Sequence, residues 1–220
     1  MPERPAVLGR RLWFPSPSQA DAEGLVAIGG DLSLPRLLLA YRSGIFPWTV
    51  GPVSWWSPDP RAIFELDQFH VARSLSRVLR HEEFRVTWDE AFGEVMEGCA
   101  APARGRRQTW ISPEFIEAYT ALHKARHAHS VECWQGKQLA GGIYGVAIGG
   151  FFAGESMFHR VSNASKVALY YLIEHLRAQG FVLFDIQMLT PITTQLGATE
   201  ISRDNYLKRL ASALTKPGHF

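Results

Sequence analysis

The stretch from residue 141 to residue 187 constrains the fold of this chain more than any other. In its first part small and bulky apolar residues alternate, which predicts two strands joined by a tight hairpin at Gly149-Gly150. Apolar residues then recur at helical spacing, so a helix is predicted over residues 163–179. A buried strand, residues 181–184, is predicted to follow. The order strand, hairpin, strand, helix, strand indicates a sheet covered by a helix.

Polar side chains stand at the ends of these predicted strands. Glu155 and Ser156 come at the end of the second strand of the hairpin, and the strand after the helix ends in Asp185 and Gln187. Polar groups at the ends of rigid apolar strands can converge on a cleft. A carboxylate at a strand end is also commonly a solvated turn residue. From the residues alone, both interpretations stay open for Glu155 and Asp185.

Composition narrows the class of protein. The chain has 220 residues, 46% of them hydrophobic and 20% charged, enough for one substantial core or a large and a small one. A net charge of +2 is too small to indicate a nucleic-acid binder, so RNA contacts would need local clusters of charge. No apolar run reaches membrane-spanning length and no signal peptide is recognised, so a cytoplasmic protein without a membrane partner is expected. Cys99 and Cys133 lack metal-ligand spacing and are expected to be reduced thiols.

The first 62 residues differ in character from the rest of the chain. They are rich in Pro, Gly and small polar residues, and residues 45–61 contain three tryptophans and four prolines. Regular periodicity begins near Ala62, where we place a domain boundary. The tryptophans could fill a seam between two domains or offer a stacking surface for a base. Composition favours neither alternative.

Two clusters of arginine provide local positive charge. The first cluster shares one face of a helix predicted over residues 68–81 and consists of Arg73, Arg77 and Arg80. The second lies in a predicted loop before Trp110 and consists of Arg104, Arg106 and Arg107. A basic helix face is most often simply solvated, but a phosphate backbone requires the same clustering.

Three histidines raise the question of a metal site. His123 and His127 lie one turn apart at the end of a predicted helix, and His129 follows. No carboxylate or cysteine at a suitable spacing completes a ligand set, and positive charge is favoured at a helix C-terminus in any case. We therefore predict no metal site.

Nine short motifs occur in order along the chain and closely resemble those of bacterial leucyl/phenylalanyl-tRNA–protein transferases. They are Gly-Gly-Asp-Leu-Ser at 29–33, Gly-Ile-Phe-Pro-Trp at 44–48, Trp-Trp-Ser-Pro-Asp-Pro-Arg at 55–61, Thr-Trp-Ile at 109–111, His-Ala-His-Ser-Val-Glu at 127–132, Gly-Glu-Ser-Met-Phe at 154–158, Asn-Ala-Ser-Lys at 163–166, Phe-Asp-Ile-Gln at 184–187 and Leu-Gly-Ala at 196–198. The resemblance covers nearly the whole chain.

The resemblance implies a cytoplasmic enzyme of the N-degron pathway. Such an enzyme moves Leu or Phe, with Met as a further candidate, from aminoacyl-tRNA onto the N-terminal Arg or Lys of acceptor proteins, which marks them for proteolysis. The implied fold is α+β (mixed α/β), with a GNAT-like catalytic domain at residues 63–220 preceded by a small N-terminal domain at residues 1–62. We expect a monomer without metal or cofactor, since the donor is an activated ester whose aminolysis needs no ATP.

The same resemblance assigns roles to the polar residues at the strand ends. Asp185 and Gln187 match the catalytic positions of the family. We assign Asp185 to hold the acceptor amine and accept its proton, directly or by relay, and Gln187 to orient the reacting groups and the oxyanion. Glu155 matches a position expected to bind the amine of the aminoacyl group, and Ser156 is grouped with the substrate-binding positions.

The remaining implied positions concern the donor substrate. The side chain of the donor amino acid is expected in an apolar pocket formed by Ile143, Phe152, Met157 and Leu172, although each of these could be ordinary core. The terminal adenosine of the tRNA is expected against Trp48 and Trp110. The helix face with Arg73, Arg77 and Arg80 becomes the candidate for contacts with acceptor-stem phosphates.

Two other classes of protein were weighed against this assignment. A coenzyme-A-dependent GNAT N-acetyltransferase would share the fold, but it normally has a Gly-rich pyrophosphate loop where residues 159–165 contain no glycine. A non-catalytic RNA-binding module would explain the arginines and tryptophans but would leave Glu155, Asp185 and Gln187 without a task.

One segment departs from the pattern of the family. Between Gln187 and Leu196 the chain has Met-Leu-Thr-Pro-Ile-Thr-Thr-Gln, where a more polar stretch is typical. We therefore expect the segment after the catalytic strand to have its own shape.

Overall fold

The computed structural model describes residues 5–49, 51–102 and 109–220. The strands in these ranges are β1 (Ala6–Leu8), β2 (Leu25–Gly29), β3 (Phe46–Thr49), β4 (Ser54–Trp56), β5 (Arg61–Phe64), β6 (Arg85–Trp88), β7 (Ala128–Gln135), β8 (Gln138–Ile148), β9 (Phe151–His159), β10 (Leu183–Gln187) and β11 (Thr199–Ile201). The α-helices are α1 (Leu34–Arg42), α2 (Arg73–Arg80), α3 (Phe92–Ala100), α4 (Pro113–Lys124), α5 (Ala164–Ala178), α6 (Pro191–Gln195) and α7 (Arg203–Ala213). Short 3₁₀ helices cover Pro17–Gln19 and Leu66–Gln68.

The strands form two sheets. The smaller sheet has the order β1-β2-β4-β3, and the larger has the order β11-β5-β10-β9-β8-β7-β6. In the larger sheet β9 and β10 run parallel, and every other neighbouring pair is antiparallel. Helix α5 connects the two parallel strands, as a parallel pair requires a crossover. This mixture of helices with a mainly antiparallel sheet confirms the predicted α+β class.

Apolar cores cover both faces of the larger sheet. One core joins the smaller sheet and α1, α3, α4 and α7 to it, with Tyr41, Trp55 and Phe115 fully buried. The other core packs α2 and α5 onto the opposite face, around Leu75 and Leu172. Burying one such large side chain stabilises the fold by about 1.5–3 kcal/mol. The first core therefore fixes residues 5–59 against the sheet that follows them in the chain.

The predicted hairpin and the long helix are confirmed. Strands β8 and β9 meet at Gly149-Gly150, where Gly149 has a φ of +58° that favours glycine. Helix α5 runs from Ala164 to Ala178 with Asn163 at the N-cap, but the Asn163 side chain makes no capping hydrogen bond. Gly180, with a φ of +75°, follows the helix end. The spacing of the apolar residues located this helix correctly. Its N-cap residue, Asn163, contributes a left-handed backbone conformation rather than a side-chain hydrogen bond.

Three predicted boundaries are wrong, each because a tertiary contact overrides local propensity. The helix predicted over residues 68–81 begins at Arg73, since the N–H of His70 donates to the Leu196 carbonyl at 2.9 Å and holds that segment extended. The sequence also predicts a helix over residues 88–99, but this helix begins at Phe92 because Trp88 pairs with strand β7. The strand predicted from Phe181 begins at Leu183, where pairing with Phe151 on β9 starts, and it ends at Gln187 as expected.

Several other expectations concern the chain as a whole. Both cysteines are buried thiols rather than halves of a disulfide, as predicted. The segment that departs from the family pattern contains α6, whose first turn is capped by Thr190 and Thr193 in a capping box. Within the described ranges every helix is too short or too polar to cross a membrane. Strand β5 begins at Arg61 and belongs to the larger sheet, and the domain boundary at residue 62 stays a prediction.

Candidate active site

The site lies where the two parallel strands separate. Strands β9 and β10 pair as far as Ala153 and Asp185, and beyond that point the ladder between them ends. Each strand also carries an irregularity there: Glu155 is an extra residue on β9 against β8, and Ile186 is an extra residue on β10 against β5. Bulges of this kind bend a strand and redirect its side chains. Here they direct polar side chains of both strands into the opening between them.

A glycine makes the first irregularity possible. Gly145 stands opposite the bulge on β8, and a Cβ at this position would overlap the carbonyl oxygen of Ala153. The two strands approach so closely that only a residue without a side chain fits. The Gly-rich composition of the 141–154 stretch thus has a direct structural consequence at the site.

Asp185 is completely buried and receives four hydrogen bonds. Arg61 donates from Nε to Oδ1 at 2.9 Å and from Nη2 to Oδ2 at 2.7 Å. The Tyr206 hydroxyl donates to Oδ2 at 2.8 Å, and the Gln187 backbone N–H donates to Oδ1 at 2.9 Å. Both oxygens are therefore occupied by protein donors. The carboxylate has little capacity left for a substrate unless a donor moves away.

Arg61 is held as tightly as its partner. Its guanidinium lies between the rings of Phe46 and Tyr206, at 4.9 Å and 4.4 Å from their centroids, and its Nη1 donates to the Gly44 carbonyl at 3.1 Å. Burial by itself lowers the pKa of Arg61, but the charge of Asp185 raises it above its ordinary value. Arg61 therefore keeps its positive charge beside Asp185. The pair joins the end of α1 and helix α7 to strand β10.

Glu155 is only half-buried and belongs to a different network. The Tyr119 hydroxyl donates to its Oε2 at 3.0 Å, and Tyr41 in turn hydrogen-bonds to Tyr119. Burial raises the pKa of Glu155 to about 7, and the charge of Asp185 acts in the same direction, while the two tyrosine hydroxyls and Arg61 oppose it. The Glu155 carboxyl can therefore change its protonation state near neutral pH, which suits proton transfer.

Gln187 connects the two strands at their point of separation. It has a φ of +59°, in the left-handed region that non-glycine residues rarely adopt. Its amide nitrogen finds good acceptors in the carbonyl oxygens of Gly154 at 2.9 Å and Ile186 at 3.0 Å. The amide oxygen then faces Glu155, a contact that is favourable when the Glu155 carboxyl is protonated. Strained backbone of this kind is often found at functional sites.

An aromatic pocket of about 310 Å³ adjoins this site. Its lining residues are Glu23, Phe46, Trp48, Thr49, Trp56, Pro58 and Met188. Met188 is the residue directly after Gln187, and Phe46 also contacts Arg61. A flat ring bound in this pocket would lie beside the three polar residues of the site.

The comparisons with known proteins fit this arrangement. Residues 63–211 match the family described as "Leucyl/phenylalanyl-tRNA protein transferase", and residues 30–59 match its "N-terminal domain". The chain belongs to the leucyl/phenylalanyl-tRNA–protein transferase family.

Curated relatives of that name match along most of their length. The protein of Shewanella baltica OS155 is 48% identical over 93% of this chain and 88% of its own. The protein of Anaeromyxobacter sp. Fw109-5 is 49% identical over 96% of this chain and 91% of its own. The protein of Shewanella pealeana is 50% identical over 90% of this chain and 86% of its own. Each is a leucyl/phenylalanyl-tRNA–protein transferase by name.

The solved structures that match this chain are much more distant in sequence. L-PGS from Bacillus licheniformis is 15% identical over 76% of this chain and 54% of its own, with a TM-score of 0.44. A GCN5-related N-acetyltransferase from Kribbella flavida is 11% identical over 75% of this chain and 60% of its own, with a TM-score of 0.42. The chain thus spans slightly more than half the length of these two structures.

Among the predicted site residues of this transferase, the structure brings together Glu155, Asp185 and Gln187. Ser156 is half-buried beside Glu155 and pairs with Tyr144 in the β8–β9 ladder. The tryptophans were interpreted as either filling a seam between domains or offering a stacking surface, and the structure has one of each kind. Trp55 is fully buried and donates from Nε1 to the Gly29 carbonyl at 2.8 Å, whereas Trp48 lines the aromatic pocket.

The four residues predicted to form the donor pocket lie in or against the apolar core. Ile143, Phe152 and Leu172 are buried, and Met157 packs against the same cluster. Ile143 and Met157 face each other across the β8–β9 ladder. Of the four, Met157 also lines a cavity of about 500 Å³ beside Phe158. The assignment of these residues to the donor side chain stays a prediction.

The predicted tRNA contacts have different outcomes. Arg73, Arg77 and Arg80 are exposed on α2 and form no ion pair with any described residue. Arg104, Arg106 and Arg107 lie outside the described residues. Trp110 is half-buried and packs edge-on against Phe115 at 5.2 Å, apart from the pocket that Trp48 lines.

The histidines do have a carboxylate partner, contrary to the sequence interpretation. Asp89 accepts a hydrogen bond from His129 Nδ1 at 2.7 Å and lies 3.8 Å from His123 Nδ1. Asp89 is 40 residues away in sequence from His129, so local spacing could not identify it. In the parts of the chain that are described, no group of three or more His, Cys, Asp or Glu is arranged to hold a metal ion.

Sequence reasoning missed four residues that build the site. They are Tyr41, Arg61, Tyr119 and Tyr206. Arg61 is the last residue of the Trp-Trp-Ser-Pro-Asp-Pro-Arg motif. A charged residue at the start of a buried strand could have indicated a buried ion pair. The three tyrosines looked like ordinary core positions, since only the fold places their hydroxyls beside carboxylates.

Proposed function

We infer that this chain transfers an amino acid from aminoacyl-tRNA to a protein. The observation that carries the inference is the convergence of Glu155, Asp185 and Gln187 beside an aromatic pocket, in a chain about half identical to curated transferases. An ionisable carboxyl, an oriented amide and a ring-binding pocket are the groups that aminolysis of a nucleoside ester needs.

The finer substrate assignment is part of the same proposal. The donor amino acid is Leu or Phe, and the acceptor is the α-amine of an N-terminal Arg or Lys. The acidic residues at the site would attract the basic side chain of such an acceptor. The product enters N-degron proteolysis in the cytoplasm, and the enzyme acts as a monomer without a metal or cofactor.

The proposed reaction is a single acyl transfer. The neutral α-amine of the acceptor attacks the carbonyl carbon of the aminoacyl ester, and a C–N bond forms. The ester C–O bond then breaks, and the terminal ribose hydroxyl of the tRNA leaves. The amine loses one proton and the departing oxygen gains one, so the enzyme needs one group that can take up a proton and return it.

Glu155 fits this proton-transfer role better than Asp185. Its carboxyl is half-buried, borders the opening between the strands and has a pKa near 7. Asp185 is fully buried, and four donors stabilise its charge. We therefore propose Glu155 as the proton acceptor or the ligand of the donor amine, and Asp185 as a positioning residue that holds the backbone of Gln187.

Gln187 is proposed to orient the reacting groups. Asp185 fixes its backbone N–H, and the Gly154 carbonyl is within reach of its side-chain nitrogen. A substrate that entered the opening could take over one of these amide contacts. The amide would then act on the carbonyl oxygen as negative charge develops there.

The transfer assay is the direct test of the proposed function. Labelled Leu-tRNA or Phe-tRNA is mixed with the protein and a peptide that begins with Arg, and labelled peptide is counted. Transfer is expected to the free peptide and not to its N-acetylated form. The proposal fails if a folded protein that binds tRNA labels no Arg or Lys peptide, or if it binds acetyl-coenzyme A and acetylates the peptide.

Trp48 provides a test of the aromatic pocket. If the terminal adenosine stacks there, Trp48→Ala should weaken donor binding by about 1–3 kcal/mol, so that KM for the charged tRNA rises about 5- to 150-fold. Trp13, which is 37% exposed and outside the pocket, offers a matched control. Equal KM values for Trp48→Ala and Trp13→Ala would remove the pocket from the donor site.

The exposed face of α2 provides a test of tRNA binding. Changing Arg73, Arg77 and Arg80 together to Gln should weaken tRNA binding and lower the slope of log K against log salt by up to about 2–3, at roughly 0.7–0.9 per phosphate contact. The value of kcat should stay unchanged, because these residues lie outside the catalytic site. An unaltered salt slope would mean that this face is simply solvated.

A further inference from the structure

A large cavity lies at the far end of the β8–β9 hairpin. It measures about 670 Å³ and is bordered by the Gly149 turn, the end of α1, the end of α4 and the segment 218–220. None of its lining residues belongs to the aromatic pocket or to the Glu155, Asp185 and Gln187 site. Its volume is in the range of small-ligand sites.

Positive charge dominates this cavity. Arg42, Lys124 and Arg126 line it, and none of them forms an ion pair with another residue in the described ranges. The carboxylate of the described lining is Asp89, which is engaged by His129 Nδ1 at 2.7 Å and by the Ser130 N–H at 2.8 Å. Three permanent cations thus line one space, and the Asp89 side chain beside them is already engaged.

Helix ends explain only part of this cluster. A cation near a helix C-terminus is stabilised by the helix dipole, which accounts for Arg42 on α1 and Lys124 on α4. Arg126 lies beyond the helix, with a φ of +60° that costs energy for a residue with a side chain. Backbone hydrogen bonds hold this turn in place, from Arg126 N–H to the His123 carbonyl at 2.9 Å and from Ala147 N–H to the His127 carbonyl at 2.8 Å.

Ring surfaces adjoin the cations. The His129 ring stacks on Phe220 with centroids 4.3 Å apart, and both residues line the cavity. His127 and His129 also belong to the His-Ala-His-Ser-Val-Glu motif, which the proposed reaction leaves without a task. Arginine and lysine bind phosphate oxygens, and flat rings suit a nucleobase.

We propose that this cavity binds a phosphate-bearing ligand of nucleotide size. The ligand is either a free nucleotide or one nucleotide of an RNA chain, since both present the same phosphate and base. Arg42, Lys124 and Arg126 contact the phosphate, and the base occupies the rest of the cavity beside them. The proposal is independent of the transfer reaction.

The test is titration calorimetry on the full chain with pyrophosphate, with adenosine monophosphate and with uncharged tRNA. The test variant is Lys124→Gln with Arg126→Asn, because asparagine tolerates the left-handed backbone at residue 126. The control variant is Lys137→Gln, an exposed lysine in the β7–β8 turn outside the cavity. Thermal unfolding establishes that both variants fold, and the single Lys124→Gln change replaces the double variant if that one unfolds.

The arms of this experiment distinguish the two sources of phosphate. A free nucleotide is the ligand if pyrophosphate or adenosine monophosphate binds the wild type and binds the test variant at least tenfold more weakly. An RNA nucleotide is the ligand if only tRNA binds and it loses at least tenfold in the test variant. The proposal is overturned if no probe binds, or if the test and control variants bind every probe alike.

Discussion

Replacing Arg61 with Ala is expected to destabilise the protein by about 3–5 kcal/mol, because it leaves Asp185 buried without its counter-ion. Asp185 is fully buried, and Arg61 supplies two of its four donors. The loss also removes the link from Arg61 to the Gly44 carbonyl, which ties α1 to the sheet. Urea unfolding followed by fluorescence measures the change in free energy.

Another arginine of the same protein serves as the control. Arg209 also forms a two-bond ion pair, with Glu65, but both side chains are about 30% exposed. Arg209→Ala should therefore cost no more than about 1 kcal/mol. If Arg61→Ala and Arg209→Ala proved equally mild, the buried pair would not be the structural centre that its geometry indicates.

Arg61→Lys separates positioning from charge alone. Lysine keeps the positive charge but cannot make the two parallel hydrogen bonds that the guanidinium makes to Asp185. We expect this variant to fold better than Arg61→Ala and to remain poorly active, since Asp185 would no longer hold Gln187 in place. Wild-type kcat in Arg61→Lys would show that the orientation of Asp185 does not matter for transfer.

Glu155→Gln is expected to lower kcat/KM for transfer by about 100-fold or more, as loss of a general acid or base typically does. Glu155 has a pKa of about 7, so its proton-accepting form increases as pH rises through neutrality. The wild-type rate should therefore rise between about pH 6 and pH 8. In Glu155→Gln only the ionisation of the acceptor amine, near pH 8, should remain in the profile.

A Tyr119→Phe variant tests the role of Glu155 in a second way. Its hydroxyl donates to Glu155 at 3.0 Å and stabilises the charged carboxylate, so it lowers the Glu155 pKa. Tyr119→Phe should consequently move the ascending part of the pH profile to higher pH without removing it. A profile that is identical in wild type, Tyr119→Phe and Glu155→Gln would exclude Glu155 from proton transfer.

The stability of Glu155→Gln relative to the wild type should depend on pH in a defined direction. The Glu155 pKa is raised from 4.5 to about 7 in the folded protein, so the folded state binds the proton more tightly than the unfolded chain. The contribution of protonated Glu155 to the stability of the fold is complete below about pH 4.5 and is lost as pH rises through about 7. Glu155→Gln should therefore compare more favourably with wild type at pH 8 than at pH 5.

Local patterns were enough to locate the elements that carry the site. The alternation in residues 141–158 and the helical spacing in residues 163–179 each depend on neighbours a few positions away, and the structure has both as β8, β9 and α5. Side-chain period alone distinguishes strand from helix. The motif resemblance added the family, which the comparisons confirm over residues 63–211.

Only the tertiary structure decided how these elements form a site. The bulge at Ile186, the end of pairing between β9 and β10, and the burial of Asp185 against Arg61 depend on strands far apart in sequence. Arg61 and Asp185 are 124 residues apart, and Asp89 meets His129 across 40 residues. No local periodicity encodes such contacts, because they arise when whole elements pack. The sequence by itself therefore determined which segments are strands and helices, whereas packing determined which carboxylate is locked and which is left to ionise near neutral pH.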